Sequence, residues 1–177
     1  MKPLIDILSA PGRITVQNAP EGLEARLLVT LTTGARQGVV HIARDDQRMA
    51  ATAEMLEFFA PGLQVLTLPA WDCLPYDRSS PNRQVVAARM RTLGLLAEDG
   101  LSGRVLLTTV NAVTQRVPAR ATVTDGRFVA EIGDRIDEAA LTTFLVGQGY
   151  TRTGTVMEPG EYAIRGGLID IFPPNDT

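Results

Sequence analysis

Phosphate transfer is the first chemistry to consider, and it depends on a lysine that this chain lacks. A P-loop holds phosphates with backbone N–H groups at a helix N-terminus, and its lysine reaches the β- and γ-phosphates. The only lysine is Lys2, and no G-x-x-x-x-G-K-[ST] run occurs. No G-x-G-x-x-G follows a predicted strand either. We therefore expect neither a nucleotide cofactor nor P-loop hydrolysis in this chain.

Other reactive side chains lack partners. His41 is the only histidine and Cys73 the only cysteine, so they cannot form a His/Cys metal site or an internal disulfide. His41 lies in a predicted strand with no nucleophile beside it, which favours a structural or exposed histidine over a general base. Asp72 and Asp77 lie in a proline-rich loop, where hydrogen bonds to backbone N–H groups are commoner than acid–base catalysis. We expect no catalytic residue.

Aromatic and basic side chains could contact nucleic acid. Trp71 and Tyr76 could stack on bases, although anchoring of a loop in the core is the commoner role. Three arginines of one predicted helix could meet phosphates, but we expect them to form a scattered solvated surface: Arg83, Arg89 and Arg91. The net charge of −3 provides no global attraction for DNA.

The composition is that of a soluble globular chain. Of its 177 residues, 45% are hydrophobic and 21% are charged. No apolar stretch approaches the roughly 20 residues that cross a bilayer, so we expect no membrane partner. The single cysteine is typical of a reducing compartment, which predicts a cytoplasmic location.

Strands alternate with helices up to Pro118. Apolar periodicity predicts strands at residues 39–42, 65–68 and 105–109. Helices are predicted at residues 21–34, after Asp45-Asp46, and after Asn82 as an N-cap. This alternation favours parallel βα units with helices on both faces of a sheet. We place a first domain at residues 1–117.

An antiparallel pattern follows Pro118. Residues 122–132 are typical of a hairpin that turns at Asp125-Gly126. Asp137 starts a helix, and a final hairpin turns at Gly166-Gly167. We predict a small α+β domain over residues 118–177, truncated at its C-terminal end because the chain stops directly after a strong strand.

The two faces of the final hairpin differ in character. One face is wholly apolar and is predicted to pack on the core: Tyr162, Ile164, Ile169 and Ile171. A two-residue turn pairs the residues of the other face across the strands: Arg165 with Leu168, Ala163 with Asp170, and Glu161 with Phe172. This mixed face suits either a solvated surface or a small recognition surface with an arginine fork beside apolar anchors.

Three sequence blocks carry a family resemblance. They are LPAWDCLPYDR at residues 68–78, LTTVNAVTQRVP at 107–118, and GYTR at 149–152 with EPGEYAIRGGLIDIFP at 158–173. Together they resemble the N-terminal, UvrB-like region of bacterial transcription-repair coupling factors. The resemblance implies a degenerate helicase-like parallel-sheet domain without a P-loop, followed by an α+β domain that docks the damage-recognition ATPase UvrA.

The resemblance also implies a role within a larger protein. The chain would be a non-catalytic module that recruits UvrA for nucleotide excision repair. The parent would be an ATP-dependent DNA translocase whose motor, with ATP and Mg²⁺, acts on stalled RNA polymerase and double-stranded DNA. Contact with the C-terminal part of the parent would mask the docking surface. Unlike UvrB, the chain reads NAPEG at residues 18–22, before the first helix, and lacks a long DNA-probing hairpin after residues 71–76.

The resemblance assigns partner-binding residues to the final hairpin. Arg165 aligns with an arginine of the UvrA-contact surface of the family. Leu168, Asp170 and Phe172 share its face and are weaker candidates for contacts with UvrA.

A different function stays open, that of a DNA-binding relic of a helicase domain. It would place four polar residues near a strand end against the DNA backbone: Thr108, Thr109, Asn111 and Gln115. The net charge of −3 and the missing hairpin disfavour it.

Overall fold

The computed structural model describes residues 11–20, 22–35, 38–73 and 80–173. The strands in these ranges are β1 (Val39–Ala43), β2 (Val65–Leu68), β3 (Val105–Thr109), β4 (Thr151–Arg152), β5 (Glu161–Arg165) and β6 (Leu168–Phe172). The helices are α1 (Leu23–Ala35), α2 (Asp46–Phe59), α3 (Arg83–Glu98), α4 (Val110–Val113), α5 (Arg120–Asp125) and α6 (Glu138–Gly147). The predicted α/β class is confirmed. The predictions for Lys2, Tyr76, Asp77 and the side chain of Arg83 lie outside the described part.

The first sheet is parallel, with the strand order β1-β3-β2. Its central strand β3 is buried along its whole length because helices cover both faces. On one face Val105 and Leu107 pack in a core that α1 and α2 complete. On the other face Leu106 packs with β2 and with leucines of α3. Burial on both faces explains why β3 begins with three consecutive apolar residues, 105–107.

Polar side chains define where three helices begin. Each accepts a hydrogen bond from a backbone N–H in the first turn of its helix: Asp45 in α2, Asn82 in α3 and Asp137 in α6. Such caps satisfy N–H groups that have no partner within the helix. All three helices begin where the sequence predicts them.

The second sheet is mixed, with the strand order β4-β5-β6. The hairpin of β5 and β6 has the predicted register, from Glu161 opposite Phe172 to Arg165 opposite Leu168. Tyr162 is buried in a core with α6, and Ile164 and Ile169 pack against that core, as predicted. The remaining member of the apolar face, Ile171, is 37% exposed. The short parallel strand β4 was not predicted.

Residues 122–132 do not form the predicted hairpin. Helix α5 occupies residues 120–125, and Gly126 ends it by donating its N–H to the carbonyl of Thr122 at 3.2 Å. The helix packs on the C-terminal part of α3, where Arg120 donates to the carbonyl of Ala97. Arg127 donates to the carbonyl of Gly94 at 3.0 Å. Arginine donors at helix carbonyls stabilise a C-terminus, and this tertiary contact overrides the local preference for strand.

Gly38 provides a test of the packing between β1 and the turn before β3. A Cβ atom at Gly38 would lie 2.3 Å from the carbonyl oxygen of Leu101 and 2.6 Å from its carbonyl carbon. Because both are backbone atoms, Gly38→Ala must shift the turn or the strand. We expect the free energy of unfolding to fall by about 1–3 kcal/mol in urea denaturation.

Gly62→Ala is the matched control, since no atom lies within 4 Å of its Cβ position. It should change the free energy of unfolding by less than about 0.5 kcal/mol. Wild-type stability of Gly38→Ala would contradict the close approach of Leu101 to β1.

Candidate functional site

The carboxyl ends of the parallel strands border a cleft of about 1020 Å³. Ligands of open α/β sheets commonly bind at this edge. The described lining includes the carboxylates of Asp46 and Asp72 and a single cation, Arg116. Among the described residues, the lining is therefore not an electropositive groove of the kind that follows a nucleic-acid backbone.

Two of the four residues that the alternative DNA-binding hypothesis uses serve the fold instead. Thr108 and Thr109 are each 1% exposed. The hydroxyl of Thr108 donates to the last carbonyl of β2 at 2.9 Å, and that of Thr109 caps α4. Asn111 is exposed and Gln115 is half-buried at the cleft. The DNA-binding hypothesis thus loses half of its proposed contacts.

Arg89 is completely buried, at 0% exposure, where the sequence predicted a solvated surface. Its guanidinium carbon lies 4.4 Å from the ring centre of Trp71. Its Nη1 atom donates to the carbonyl of Pro69 at 2.5 Å, whereas Nε and Nη2 have no partner among the described residues. Burial lowers the pKa of Arg89. The prediction was wrong because Arg89 flanks the apolar stripe of α3, and helical spacing does not reveal that the loop after β2 covers that flank.

The loop after β2 is held by two further interactions. The side-chain oxygen of Gln115 accepts the backbone N–H of Trp71 at 2.9 Å. The carboxylate of Asp72 accepts the backbone N–H of Asn82 at 3.1 Å. Trp71 and Asp72 therefore have the structural roles that the sequence favours over chemistry.

His41 lies in a half-buried cluster between β1 and the first turns of α1 and α2. Its Nε2 atom is 3.2 Å from Oε1 of Glu24, without a hydrogen bond, and Oε2 of Glu24 accepts from Arg48 at 2.8 Å. Burial lowers the pKa of His41, the carboxylate of Glu24 opposes this shift, and the charge of Arg48 adds to it. The described charged neighbours of His41 are thus a carboxylate and a guanidinium that are themselves paired, which is a structural environment.

The four predicted partner-binding residues share one face of the β5–β6 hairpin. We call this the docking face: Glu161, Ala163, Arg165, Leu168, Asp170 and Phe172. The Arg165 side chain is 53% exposed, and Leu168, directly opposite it, is 57% exposed. Asp170 and Phe172 are partly buried. The face therefore presents a cation beside an apolar side chain.

Two carboxylates of the docking face have partners within the chain. Asp170 accepts a hydrogen bond from Nη2 of Arg165, diagonally across the hairpin. Glu161 accepts the backbone N–H groups of Met157 and Glu158 at 2.8 and 3.0 Å, and these bonds lower its pKa. Sequence reasoning treated Arg165 and Asp170 as separate contacts, although the predicted register already made them diagonal neighbours.

Residues 129–177 match the family model of the UvrB interaction domain. The hairpin with the docking face lies inside this match. The chain is therefore one that carries a UvrB interaction domain.

Curated relatives extend the match beyond this domain. The chain is 36% identical over 135 residues to a transcription-repair-coupling factor of Escherichia coli K12, covering 76% of this chain and 12% of that protein. It is 30% identical over 177 residues to that of Myxococcus xanthus, covering 97% and 15%. The identity to that of Mycobacterium tuberculosis is 34% over 157 residues, covering 85% and 12%. The chain is a relative of the transcription-repair-coupling factors and spans 12–15% of the length of these three.

The length and apolar character of the helices bear on whether a segment could cross a membrane. Within the described ranges, no helix has both the length and the apolar character needed to cross a bilayer.

Arg89 can be tested by substitution. Arg89→Ala removes the donor to Pro69 and leaves a cavity under Trp71, so we expect a loss of about 2–4 kcal/mol in the free energy of unfolding. Arg89→Met retains much of the packing volume and should lose about half as much. Trp71 is the only tryptophan, so its fluorescence can be measured without interference from another. In native Arg89→Ala, its emission maximum should move to a longer wavelength, because the ring loses the side chain that packs against it.

Arg91→Ala is the control on the same helix, since Arg91 is exposed. It should change stability by less than about 0.5 kcal/mol. Equal stabilities of Arg89→Ala and Arg91→Ala would contradict the structural role of Arg89.

The environment of His41 predicts a pH dependence of stability. Because the folded pKa is lowered, the unfolded chain binds more protons as the pH falls through the unfolded value of about 6.5. Neutral His41 therefore contributes to the free energy of unfolding above that pH, and this contribution is lost as the pH falls below it. We expect the urea concentration at the unfolding midpoint to decrease as the pH is lowered from about 7.5 to about 5.5.

His41→Gln should flatten this dependence, since the chain has no other histidine. A variant profile as steep as that of the wild type would show that other groups cause it.

Proposed function

We propose that this chain is a non-catalytic module that recruits UvrA of nucleotide excision repair. The observation that carries the proposal is an exposed Arg165 beside Leu168, on a hairpin within a UvrB interaction domain. The parent would be a transcription-repair-coupling factor in the cytoplasm, with a motor that uses ATP and Mg²⁺ and acts on RNA polymerase and double-stranded DNA. Its C-terminal part would mask the docking face until recruitment.

The chemistry of the docking face supports a protein partner. A planar guanidinium next to an exposed leucine offers a directional polar contact and an apolar anchor, a combination typical of interface hot spots. The carboxylates of Glu161 and Asp170 on the same face oppose the approach of a polyanion such as DNA. Because a guanidinium pairs with a carboxylate, we propose an acidic side chain of UvrA as the group that faces Arg165.

The parallel sheet supports a scaffold role. We propose residues 1–117 as the first part of a helicase-like domain that has lost its nucleotide site, and residues 118–177 as the docking domain. In a P-loop protein the corresponding helix N-terminus receives phosphate. Here the first turn of α1 carries Glu24, whose carboxylate interacts favourably with the helix dipole and would repel phosphate. The ion pair of Glu24 with Arg48 holds that carboxylate in place.

Substitution of Arg165 tests the proposal. Arg165→Ala should weaken UvrA binding by about 30-fold, equivalent to about 2 kcal/mol, because it truncates the cation of the docking face. Isothermal titration of UvrA into the wild-type chain and the variant measures the change.

Arg44→Ala is a matched control, because Arg44 is another exposed arginine paired with an aspartate, 86% exposed in the first part of the chain. It should bind UvrA as the wild type does. Equal affinities of Arg165→Ala and Arg44→Ala would refute the site.

A further inference from the structure

Arg165 uses only part of its hydrogen-bonding capacity within the chain. Its Nη2 atom donates to Oδ2 of Asp170. Within residues 11–20, 22–35, 38–73 and 80–173, the Nε and Nη1 atoms of Arg165 and the Oδ1 atom of Asp170 have no such bond. A guanidinium has five N–H donors in a planar fork, so several donors stay available after this pairing.

The pair does little for the stability of the hairpin. The side chains of Arg165 and Asp170 are 53% and 37% exposed, so water and salt screen their attraction. The fold therefore gains little stability from the ion pair of Asp170. In the structure, this hydrogen bond places the long side chain of Arg165 over one region of the docking face.

We propose that Asp170 is a positioning residue for partner binding, which orients Arg165 to receive a carboxylate of the partner. This inference rests on the proposed function. Ordering a flexible side chain upon binding lowers affinity, and an arginine ordered in advance avoids that loss. Once the partner excludes water, the attraction within the pair also becomes stronger.

The partner group follows from the donors that remain. A carboxylate matches two parallel N–H donors of a guanidinium, and such bidentate pairs are strong and directional. Leu168 lies directly opposite Arg165 across the hairpin, so an apolar contact must lie beside that carboxylate. A phosphate would meet the same fork, but Asp170 and Glu161 would repel its higher charge. The complementary surface is therefore an acidic side chain next to an apolar pocket.

A double-mutant cycle against UvrA tests the positioning role. Arg165→Ala should weaken binding by about 30-fold. Asp170→Ala should weaken it by about fivefold in the wild-type background and have no further effect in the Arg165→Ala background. The affinity of Asp170→Asn for UvrA should lie between that of Asp170→Ala and that of the wild type. Equal weakening by Asp170→Ala in both backgrounds would show direct contact with UvrA and overturn the proposal.

A charge swap separates positioning from a role in folding. The double variant Arg165→Asp, Asp170→Arg keeps an ion pair on the hairpin but moves the cation to the other strand. Thermal denaturation should show a wild-type midpoint, while UvrA binding should be as weak as that of Arg165→Ala. Wild-type binding by the swapped variant would overturn the proposal.

The outcomes distinguish the two proposals. If Arg165→Ala binds UvrA as the wild type does, the docking function assigned to this face fails. If Arg165→Ala weakens binding and Asp170→Ala does not, only the positioning role fails.

Discussion

The turn at Gly166-Gly167 determines which side chains the docking face carries. Both glycines have positive φ angles, 56° and 87°, as the type I′ form of a two-residue hairpin turn requires. This turn places Arg165 opposite Leu168, and every later pair follows from that register. Because side chains alternate between the faces of a strand, a slip of one residue would bury Arg165 and expose Tyr162. The apolar contacts of Tyr162 with α6 and the geometry of the turn therefore select the same register.

Apolar runs, helix caps and turn glycines predicted the elements that depend on neighbouring residues in the sequence. The strand β3 begins with three consecutive apolar residues because both of its faces are covered. The starts of α2, α3 and α6 follow from caps that are visible in the sequence. The pairing of the final hairpin was predictable because a two-residue glycine turn allows few registers. The membership of Arg165, Leu168, Asp170 and Phe172 in one face followed from that register alone.

Two of the failures have a common physical cause, which is contact between segments distant in sequence. Residues 120–125 alternate in a way that favours a strand, yet they form a helix where Arg120 and Arg127 reach the carbonyls of α3. Arg89 resembles a surface residue by its spacing, yet the loop after β2 places Trp71 against it. Neither propensity nor periodicity contains information about such contacts between distant segments. Strand β4 was missed for another reason, because its two residues are too few for a periodic signal.

The arginine contacts between residues 120–127 and α3 have a mechanical consequence. Arg127 is bonded to Gly94 and forms an ion pair with Glu98, while Arg120 is bonded to Ala97. A pull on the docking face, transmitted along the backbone, reaches Arg127 before it reaches α4 and β3. Part of that force is then transmitted through the arginine contacts to α3 and from α3 to β2. The remainder follows the covalent backbone. These two arginines thus give the docking hairpin a second line of attachment to the parallel sheet.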